Sequence, residues 1–434
     1  MPHALTTSPG PLPHDHVSPR AAASTAKPQA NETVNRAGVM QPGRNVWRIE
    51  RAERAAALID AAPFFGAVRE TLRNAKKTIF IVGWDIDSRT RLVGEDCNPD
   101  DGLPITFVEF LSALVARRPE LTVHLLLWDY SVVYALEREL FPMLALHWNT
   151  PSQVRLCLDN EVPVGSSHHQ KIIVVDNAVA FSGGLDVTIR RWDTSDHLLD
   201  NPDRVDPSGN PYRPFHDVQA MVDGDAARAL GELVRARWER AGCDCDNAAE
   251  PIGDAVSDPW PHIVAPDLTD VEIGIARTMP MYEDDDEILE VETLFLDAIG
   301  SAQRSIYIEN QFVTSAIIAE RLAEVMLERP LLETVIVAPQ HYGSWIEKQT
   351  MRTGRVRFMR ILEDAGVGER VRLLYPEVAD GERKTDTMVH SKIFIIDDAM
   401  LRIGSPISTT VRWAPTPSAT SQSRRAPMIT GAPS

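Results

Sequence analysis

The chain has 434 residues, of which 44% are hydrophobic, so it can bury a large core and is expected to form more than one domain or a duplicated one. Its 62 acidic residues outnumber the 44 Lys and Arg residues, and the net charge is -18. Because a basic face supplies most of the affinity for nucleic acid, this charge balance argues against a nuclease and against a nucleic-acid partner. It also disfavours docking on anionic lipid, although a zwitterionic head group would not be repelled.

The N-terminus and the cysteines indicate the compartment. The N-terminus lacks a charged start followed by an apolar core, and no apolar run reaches about 18 residues, so neither a signal peptide nor a transmembrane segment is predicted. The four cysteines, Cys97, Cys157, Cys243 and Cys245, lack the spacing of a zinc site and are expected to be free thiols in a reducing compartment. The sequence therefore predicts a cytoplasmic protein without a metal site.

The chain begins with a tail, a helix and a strand. Residues 1–45 are rich in Pro, Ser, Ala and Thr without periodicity, and they are expected to be disordered. Arg51 to Leu72 has the spacing of apolar residues that is typical of a helix. The stretch from Lys76 to Val82 then predicts a passage from helix to strand that ends near Trp84.

An eight-residue pattern occurs twice, as H-Q-K-I-I-V-V-D at residues 169–176 and as H-S-K-I-F-I-I-D at residues 390–397. In each copy the apolar run predicts a strand buried on both faces, and the period of two places the His and the Lys on the same face. After six intervening residues, each Asp is followed by a small pair, Gly183-Gly184 or Gly404-Ser405, which permits a tight turn and close approach of the backbone to a ligand. The two copies therefore predict two half-sites.

Other stretches repeat in the same order. Residues 68–81 (V-R-E-T-L-R-N-A-K-K-T-I-F-I) align with residues 295–308 (F-L-D-A-I-G-S-A-Q-R-S-I-Y-I), and residues 121–127 have a counterpart at residues 333–338. The pattern indicates an internal duplication of an α/β unit. Each half is expected to be a mixed or largely parallel sheet flanked by helices.

Three further segments complete and separate the halves. Asp223 to Arg240 predicts a helix that closes the first half, and residues 251–270, with their prolines and acidic residues, predict a linker. The acidic run at residues 283–287 is interpreted as the solvated start of a helix rather than as a calcium site. Acidic side chains favour helix N-termini, and the run lacks the EF-hand pattern.

These motifs resemble those of the phospholipase D superfamily. H-H-Q-K at residues 168–171, which continues through G-G-L-D to R-W-D, is similar to the first motif of the eukaryotic-type enzymes. I-Y-I-E-N-Q-F at residues 306–312 is similar to the segment upstream of their second motif. The resemblance covers the chain from about Val46 to Ser405. It implies an α/β fold of two duplicated halves, residues 46–250 and 271–405, that share one active site.

Two imidazoles and two ammonium groups suit the cleavage of a phosphodiester without a metal or another cofactor. One neutral His can attack phosphorus while the other, protonated, donates to the leaving oxygen, because the unperturbed pKa of His is about 6.5. Lys171 and Lys392 would hold the non-bridging oxygens and stabilise the negative charge that develops. The resemblance implies that His169 becomes the phosphohistidine and that His390 is the general acid, which then deprotonates water or an alcohol such as glycerol.

The other candidate residues have less direct roles. Asp176 and Asp397 complete the catalytic motifs that the resemblance implies, but strand alternation places them on the face opposite the His and the Lys, which favours a structural role. His168 has the wrong parity to face the site. Asp186 is a candidate to orient an imidazole through its Nδ1 hydrogen. By analogy, further residues are expected to bind the substrate: Gly184, Asp186, Glu309, Asn310 and Ser405.

The segment after Ser405 departs from the resemblance, which predicts A-N-x-x-x-R-S followed by an acidic strand. Residues 406–434 are instead rich in Pro, Ser, Thr, Ala and Arg without periodicity, and they are expected to be disordered. With synonymous codons chosen for these residues, one extra base after the Ser405 codon gives A-N-L-N-N-R-S-L-G-T-D-T-E-C-D-L-A-I-E-A. We therefore hypothesise a one-base deletion that leaves the second half incomplete.

The predicted function is that of a phospholipase D-like phosphodiesterase. It would hydrolyse or transfer the phosphatidyl group of a glycerophospholipid at a membrane surface through a covalent phosphohistidine, with water or an alcohol as the acceptor. Three alternatives stay open: a cardiolipin-synthase-like phosphatidyltransferase, a phosphodiesterase acting on another diester, and an inactive truncated product of a phospholipase D gene. The sequence indicates neither the head group nor the oligomeric state.

Overall fold

The computed structural model describes residues 38–129, 151–163, 166–243, 258–283, 285–341, 345–404 and 411–413. The first elements are β1 (Arg48–Ile59), α1 (Ala61–Asn74), β2 (Thr78–Gly83), α2 (Phe107–Arg117), β3 (Thr122–Trp128), β4 (Val154–Asp159), β5 (Ile172–Val175), β6 (Val179–Gly183), β7 (Phe215–His216), β8 (Val218–Asp223), α3 (Gly224–Arg240) and β9 (Leu268–Ile275). The elements that follow are β10 (Thr278–Met279), β11 (Ile288–Leu289), α4 (Glu290–Ser301), β12 (Ser305–Asn310), α5 (Ala316–Glu328), β13 (Glu333–Val337), α6 (Trp345–Asp364), a 3₁₀ turn (Gly368–Arg370), β14 (Val371–Leu374), β15 (Glu377–Asp380), β16 (Arg383–Asp386), β17 (Met388–Val389), β18 (Lys392–Ile396), β19 (Met400–Ile403) and β20 (Val411–Trp413).

Two large mixed sheets form the centre of the fold. The first has the strand order β4-β3-β2-β5-β6-β8-β1-β9, in which β2, β3 and β4 run parallel and the other neighbours are antiparallel. The second has the order β14-β13-β12-β18-β19-β20, in which β12, β13 and β14 run parallel and the others are antiparallel. The predicted α/β class is confirmed. Corresponding strands follow the same order in both sheets, which supports the predicted duplication.

Helices and the second sheet cover the first sheet on its two faces. Helices α1 and α2 pack on one face, where Phe64 and Phe110 are buried together with Phe181 of β6. The other face packs against Trp238 of α3 and against Ile403 of the second sheet. Helices α4, α5 and α6 pack on the second sheet. The motif strands β5 and β18 are interior strands of their sheets, which explains their continuous apolar runs.

The two motif aspartates hold equivalent turns. Asp176 accepts hydrogen bonds of 2.7, 2.8 and 2.9 Å from three consecutive backbone N–H groups at the start of β2, those of Lys76, Lys77 and Thr78. Asp397 accepts bonds of 3.0, 2.9 and 2.9 Å from the three at the start of β12, those of Gln303, Arg304 and Ser305. Both aspartates have a positive φ, 52° and 50°, which Asp tolerates better than most residues. The structure therefore gives Asp176 and Asp397 a structural role and corrects their assignment to the catalytic set.

The predicted helix from Arg51 is wrong over residues 51–59, which belong to β1. This strand lies between β8 and β9, and its alanines Ala52, Ala55 and Ala56 are buried. Alanine and arginine favour a helix by intrinsic propensity, but pairing on both sides of the strand decides here. Helix α1 begins only at Ala61, after Asp60, whose φ is 69°.

Two predicted boundaries differ from the structure. Residues 38–45 were expected to belong to the disordered tail, but Met40 is buried and Arg44 and Asn45 bond to the carboxylate of Asp297 at 2.6 and 2.7 Å. Strand β9 begins inside the predicted linker at residues 251–270 and pairs with β1, so the first sheet continues past residue 250. Residues 1–37 and 244–257 lie outside the described residues.

A disulfide joins Cys157 of β4 to Cys243, just after α3, with their Cα atoms 6.1 Å apart. The prediction of free thiols is wrong for this pair, because the two residues are 86 apart in sequence and only the fold brings β4 beside the end of α3. Cys97 is a buried free thiol, and Cys245 lies outside the described residues. In the described part of the chain, no helix combines the length and the apolar character needed to cross a membrane.

The acidic run at residues 283–287 lies between β10 and β11, two short strands that pair before the helix starts. It is therefore not the first turn of α4, which begins at Glu290, and that part of the prediction is wrong. Asp285 lies 3.4 Å from a guanidinium nitrogen of Arg240, so the run contributes an ion pair on the surface. Asp284 lies outside the described residues.

Three residues beyond Ser405 form a strand. Strand β20 pairs antiparallel with β19, with Val411 opposite Ile403. It occupies the position beside β19 that β8 holds beside β6 in the first sheet. The expectation of no regular structure after Ser405 is not met at these residues, and residues 405–410 and 414–434 lie outside the described ones.

Candidate active site

A short parallel pair of strands connects the two sheets next to the second motif. In this pair, Met388 of β17 lies opposite Phe215 of β7, and Val389 lies opposite His216. The backbone N–H of His390 donates to the carbonyl of His216 at 2.8 Å. The start of the second motif is therefore fixed against the first half of the chain, where the first motif lies.

The first motif presents its His and its Lys from the residues leading into β5. Nζ of Lys171 lies 2.9 Å from Oδ2 of Asp186 and 3.5 Å from Nε2 of His169. The other carboxylate oxygen of Asp186 accepts a 2.8 Å hydrogen bond from the backbone of Trp84, whose ring lies 5.9 Å from that of His169. The predicted shared face is thus confirmed, with an aromatic wall beside His169.

A buried polar cluster supports the first motif from behind. Nε2 of His168 lies 3.0 Å from Oδ1 of Asp159, and Arg237 donates to Oδ2 of the same carboxylate at 2.7 Å. Arg237 also donates to the side-chain oxygen of Gln170 at 2.9 Å. His168 therefore faces away from His169, as its parity predicted, and this cluster holds the approach to β5 against α3.

The second motif is organised by a carboxylate that the sequence did not reveal. Oδ2 of Asp217 lies 2.6 Å from Nδ1 of His390. Nζ of Lys392 lies 3.1 Å from the same nitrogen and donates to the backbone carbonyl of His390. Asp217 belongs to the first half, has no counterpart in the repeated pattern and is fully buried, so no periodic signal in the sequence could have found it.

The small pair after the first motif makes room for this carboxylate. A Cβ atom on Gly184 would lie 2.2 Å from Oδ1 of Asp217, and one on Gly183 would lie 2.2 Å from Oε1 of Gln219. Both distances are far below van der Waals contact, so both positions require glycine. The structure therefore gives Gly184 a packing role beside Asp217, and its role in substrate binding stays a prediction. Ser405 of the second pair lies outside the described residues.

The charges of the two motifs act on one another. Burial lowers the pKa of His169 well below its usual value, and the positive charges of Lys171, Lys392 and His390 lower it further. Burial likewise lowers the pKa of His390, together with the charges of Lys392, Arg191 and Lys171. The pKa of each imidazole is thus lowered by the ammonium group of the other motif. The structure therefore brings the four predicted His and Lys residues into one charged site. Arg191 adds a further cation.

Asp217 and His390 form a buried acid–base pair. Burial raises the pKa of Asp217, whereas burial and the surrounding cations lower that of His390. At a separation of 2.6 Å the two groups share one proton between Oδ2 and Nδ1. This contact fixes the ring orientation and leaves Nε2 of His390 directed to the rest of the site.

Asp186, Glu309 and Asn310 have different contacts from those expected. Asp186 contacts Lys171 and the backbone of Trp84, whereas the carboxylate at Nδ1 of the motif histidine His390 is Asp217, so the predicted role of Asp186 is corrected. Oε2 of Glu309 accepts a 2.5 Å hydrogen bond from Ser391 and lies 3.0 Å from Nε2 of His216. The side chain of Asn310 accepts from the backbone of Phe312 at 2.8 Å, which shapes the turn after β12.

One group of residues in the described part of the chain has the composition of a metal site. Asp60, His197 and His216 offer ligand atoms within 4.8 Å of one another. Oδ1 of Asp60 and Nδ1 of His216 are 2.7 Å apart, which is a hydrogen-bond distance and shorter than the roughly 3.3 Å that separates two ligands of a tetrahedral zinc ion. The group lies beside the His and Lys pairs, on the far side of Glu309.

A small groove opens beside the first motif. Val162, Met279 and Pro280 contribute an apolar wall, and His169 and Tyr282 contribute polar atoms. His169 is therefore one of the residues that line this groove.

Two mixed sheets that bring together two His and Lys pairs, with a carboxylate on one imidazole, define an α/β protein with a composite site. Residues 71–256 match the family model described as Phospholipase D, so this part of the chain is similar to that family.

Among curated proteins, the chain is 24% identical over 417 residues to phospholipase D A of Dictyostelium discoideum, covering 80% of this chain and 31% of that protein. It is 26% identical over 311 residues to phospholipase D alpha 1 of Ricinus communis, covering 56% of this chain and 38% of that protein. The chain therefore spans about a third of the length of these relatives.

Among solved structures, the fold is similar to that of phosphatidylserine synthase from Haemophilus influenzae Rd KW20. The TM-score is 0.52 at 12% identity, with 84% of this chain and 83% of that chain covered. At this identity the similarity concerns the fold alone.

Proposed function

We propose that the protein is a phospholipase D-like phosphodiesterase that hydrolyses or transfers the phosphatidyl group of a glycerophospholipid through a covalent phosphohistidine. The observation that carries the proposal is the composite site. Two imidazoles of lowered pKa and two buried ammonium groups come from the two motifs, and Asp217 bonds to one imidazole. This is the set of groups that an in-line displacement at phosphorus requires.

In the first step, Nε2 of His169 attacks phosphorus and the bond from phosphorus to the head-group oxygen breaks. A neutral imidazole is the nucleophilic form, and the lowered pKa of His169 keeps it neutral near pH 7. Lys171 and Lys392 hold the non-bridging oxygens, where negative charge accumulates. His390 donates the proton of its Nε2 to the leaving alkoxide, which departs as the free alcohol.

Binding of the substrate favours protonation of His390. Without substrate, burial and the positive charges of Lys392, Arg191 and Lys171 hold the pKa of His390 down. A phosphodiester carries one negative charge, so its entry between the ammonium groups offsets this repulsion and raises the pKa of His390. Asp217 stabilises the resulting imidazolium through Nδ1. In the second step His390 takes a proton from water or an alcohol, whose oxygen attacks phosphorus and releases His169.

Three observations support a phospholipid as the substrate. The curated relatives are named phospholipase D. The groove at His169 has an apolar wall. The net charge of -18 suits a zwitterionic head group, which acidic protein does not repel. The protein would therefore act at a membrane surface, with water or an alcohol as the acceptor.

The purified chain is expected to convert phosphatidylcholine in the presence of ethanol to phosphatidate and phosphatidylethanol, which thin-layer chromatography resolves. The His169→Asn variant is the matched control and is expected to give neither product. Hydrolysis of a soluble aryl phosphodiester without any lipid product would show that the chemistry is right and the substrate class is wrong. Product from a chain re-encoded with one base after the Ser405 codon, but none from the present chain, would favour the inactive-product alternative.

The value of kcat/KM is expected to fall as the pH rises above about 7. Burial lowers the pKa of Lys392 to about 7, with Asp217 opposing this effect and Lys171 and Arg191 adding to it. Above this pH the free enzyme loses an ammonium that holds a phosphate oxygen, and kcat/KM reports groups of the free enzyme. A soluble aryl diester measured from about pH 5.5 to about pH 9.5 tests the expectation, and a profile that stays flat to about pH 9 would contradict it.

A further inference from the structure

We propose that His216 is a positioning residue: its imidazolium bridges Asp60 of the first half and Glu309 of the second, and so fixes the second motif for the reaction proposed above. The catalytic part of this inference rests on the proposed function, whereas the bridge itself does not. The residue lies outside both His and Lys motifs.

The two ring nitrogens of His216 reach carboxylates from different halves of the chain. Nδ1 lies 2.7 Å from Oδ1 of Asp60, which precedes α1, and Nε2 lies 3.0 Å from Oε2 of Glu309 in β12. Both carboxylates are buried. A neutral imidazole has one N–H and would leave one of these acceptors facing a lone pair, whereas the protonated ring donates to both.

The charged groups around His216 favour the protonated form of its ring. Asp60 also lies 3.5 Å from Nε2 of His197, whose Nδ1 lies 3.0 Å from Asp193. Arg204 donates to Asp193 at 3.0 Å, so this series of alternating imidazoles and carboxylates ends at the guanidinium of Arg204, a permanent cation. On the other side, Glu309 accepts from Tyr307 and Ser391 at 2.6 and 2.5 Å, and Asp217 adds a neighbouring acid. Burial works against the charged ring, but the hydrogen bonds and charges of Asp60 and Glu309 outweigh it and raise the pKa of His216 to about 10.

The bridge controls the place where His390 enters the site. The carbonyl of His216 accepts from the backbone of His390 at 2.8 Å, and the next residue, Asp217, holds Nδ1 of the same histidine at 2.6 Å. Glu309, on the other side of the bridge, accepts the hydroxyl of Ser391. Residues 390 and 391 are thus held by three hydrogen bonds. One is to His216 itself, and the other two are to Asp217, the next residue in the chain, and to Glu309, which His216 contacts. Because a displacement of about 1 Å can cost on the order of 10²-fold in rate, this bridge sets the catalytic geometry.

The same geometry argues against a metal ion between Asp60, His197 and His216. The 2.7 Å separation of Oδ1 and Nδ1 is a hydrogen-bond distance, and each of the two imidazoles meets a carboxylate at both nitrogens. A proton, rather than a cation of larger radius, fits between such atoms.

Because of the bridge, the stability of the fold is expected to decrease as the pH rises into the alkaline range. Because the pKa of His216 is raised from its model-peptide value of 6.5 to about 10, its contribution is complete below about pH 6.5 and is lost as the pH rises through about 10. The difference between the urea midpoints of the wild type and His216→Gln is therefore expected to be largest near pH 6.5 and to shrink towards pH 10. His124→Asn is the matched control, since burial lowers the pKa of that buried histidine to about 4 and its pH dependence lies on the acid side.

Two direct readouts complete the test on the full chain. In ¹⁵N-histidine NMR at about pH 8.5, the ring of His216 is expected to carry protons on both nitrogens, and the signal of that ring is identified by its loss in His216→Gln. With a soluble aryl diester, the same variant is expected to lose about 10²-fold in kcat with little change in KM. Absence of the doubly protonated ring, or one equivalent of bound zinc by elemental analysis, would overturn the bridge. Detection of the bridge in the wild type together with an unchanged kcat in His216→Gln would overturn the positioning role. The NMR and urea results hold whether or not the chain turns over lipid.

Discussion

His169→Asn is expected to abolish both the phospho-enzyme and steady-state turnover. Asparagine approximates the shape of the imidazole near the backbone but has no nucleophilic nitrogen, so no bond to phosphorus can form. Nζ of Lys171, 3.5 Å from Nε2 in the wild type, and the ion pair of Lys171 with Asp186 would remain. The measurement is a rapid quench in alkaline detergent with a ³²P-labelled diester, followed by counting of protein-bound label that is stable in base and is lost on treatment with acid, as expected of a phosphohistidine.

His390→Asn is the informative comparison. This variant lacks the general acid but keeps the nucleophile, so a substrate whose leaving group needs no proton, such as a p-nitrophenyl ester, is expected still to label the protein slowly. A substrate with an alkyl head group is expected not to do so, because alkoxide departure requires protonation. Equal labelling of the His169→Asn variant would reverse the assignment of nucleophile and acid.

The parts of the fold that could be predicted are those that repeat or alternate along the chain. The apolar runs within the two motifs predicted strands β5 and β18, because interior strands must be apolar on both faces. The parity of the motif placed Asp176 away from His169, and the structure finds it bonded to backbone N–H groups at the start of β2. Local periodicity is sufficient for such elements, because a side chain's face follows from its place in the strand.

The contacts between the two halves could not be predicted, because they depend on where distant segments meet. His216 lies in the two-residue strand β7, whose partner is β17, and Asp217 directly follows this strand. The contact from Asp217 to His390 joins residues that are 173 apart in sequence. The disulfide from Cys157 to Cys243 was missed for the same reason, since its geometry exists only after β4 and α3 have packed. Strand β1 was mistaken for helix because its alanines have helical propensity, while its pairing with β8 and β9 is non-local.

Asp217→Asn is expected to lower kcat by on the order of 10³-fold or more, which corresponds to about 4 kcal/mol in the barrier. The carboxylate lies 2.6 Å from Nδ1 of His390, is buried, and is the group that stabilises the imidazolium when Nε2 carries the proton for the leaving oxygen. An amide carries no charge to do so. When its NH₂ faces the ring, it also forces the proton of a neutral imidazole onto Nε2, the wrong tautomer for accepting a proton from water in the second step.

The leaving-group dependence of this loss separates a chemical role of Asp217 from a role in folding. If Asp217 acts through His390, the rate of phospho-enzyme formation falls strongly for an alkyl head group and only slightly for a p-nitrophenyl ester, which departs without a proton. Breakdown of the phospho-enzyme needs His390 as a base with either substrate, so the variant is expected to accumulate labelled protein from the aryl ester. Asp397→Asn, which alters a turn of the second sheet at the end of β18 away from His390, serves as the control for stability. Equal losses of phospho-enzyme formation with both substrates in Asp217→Asn would show that the carboxylate holds the fold together rather than the tautomer of His390.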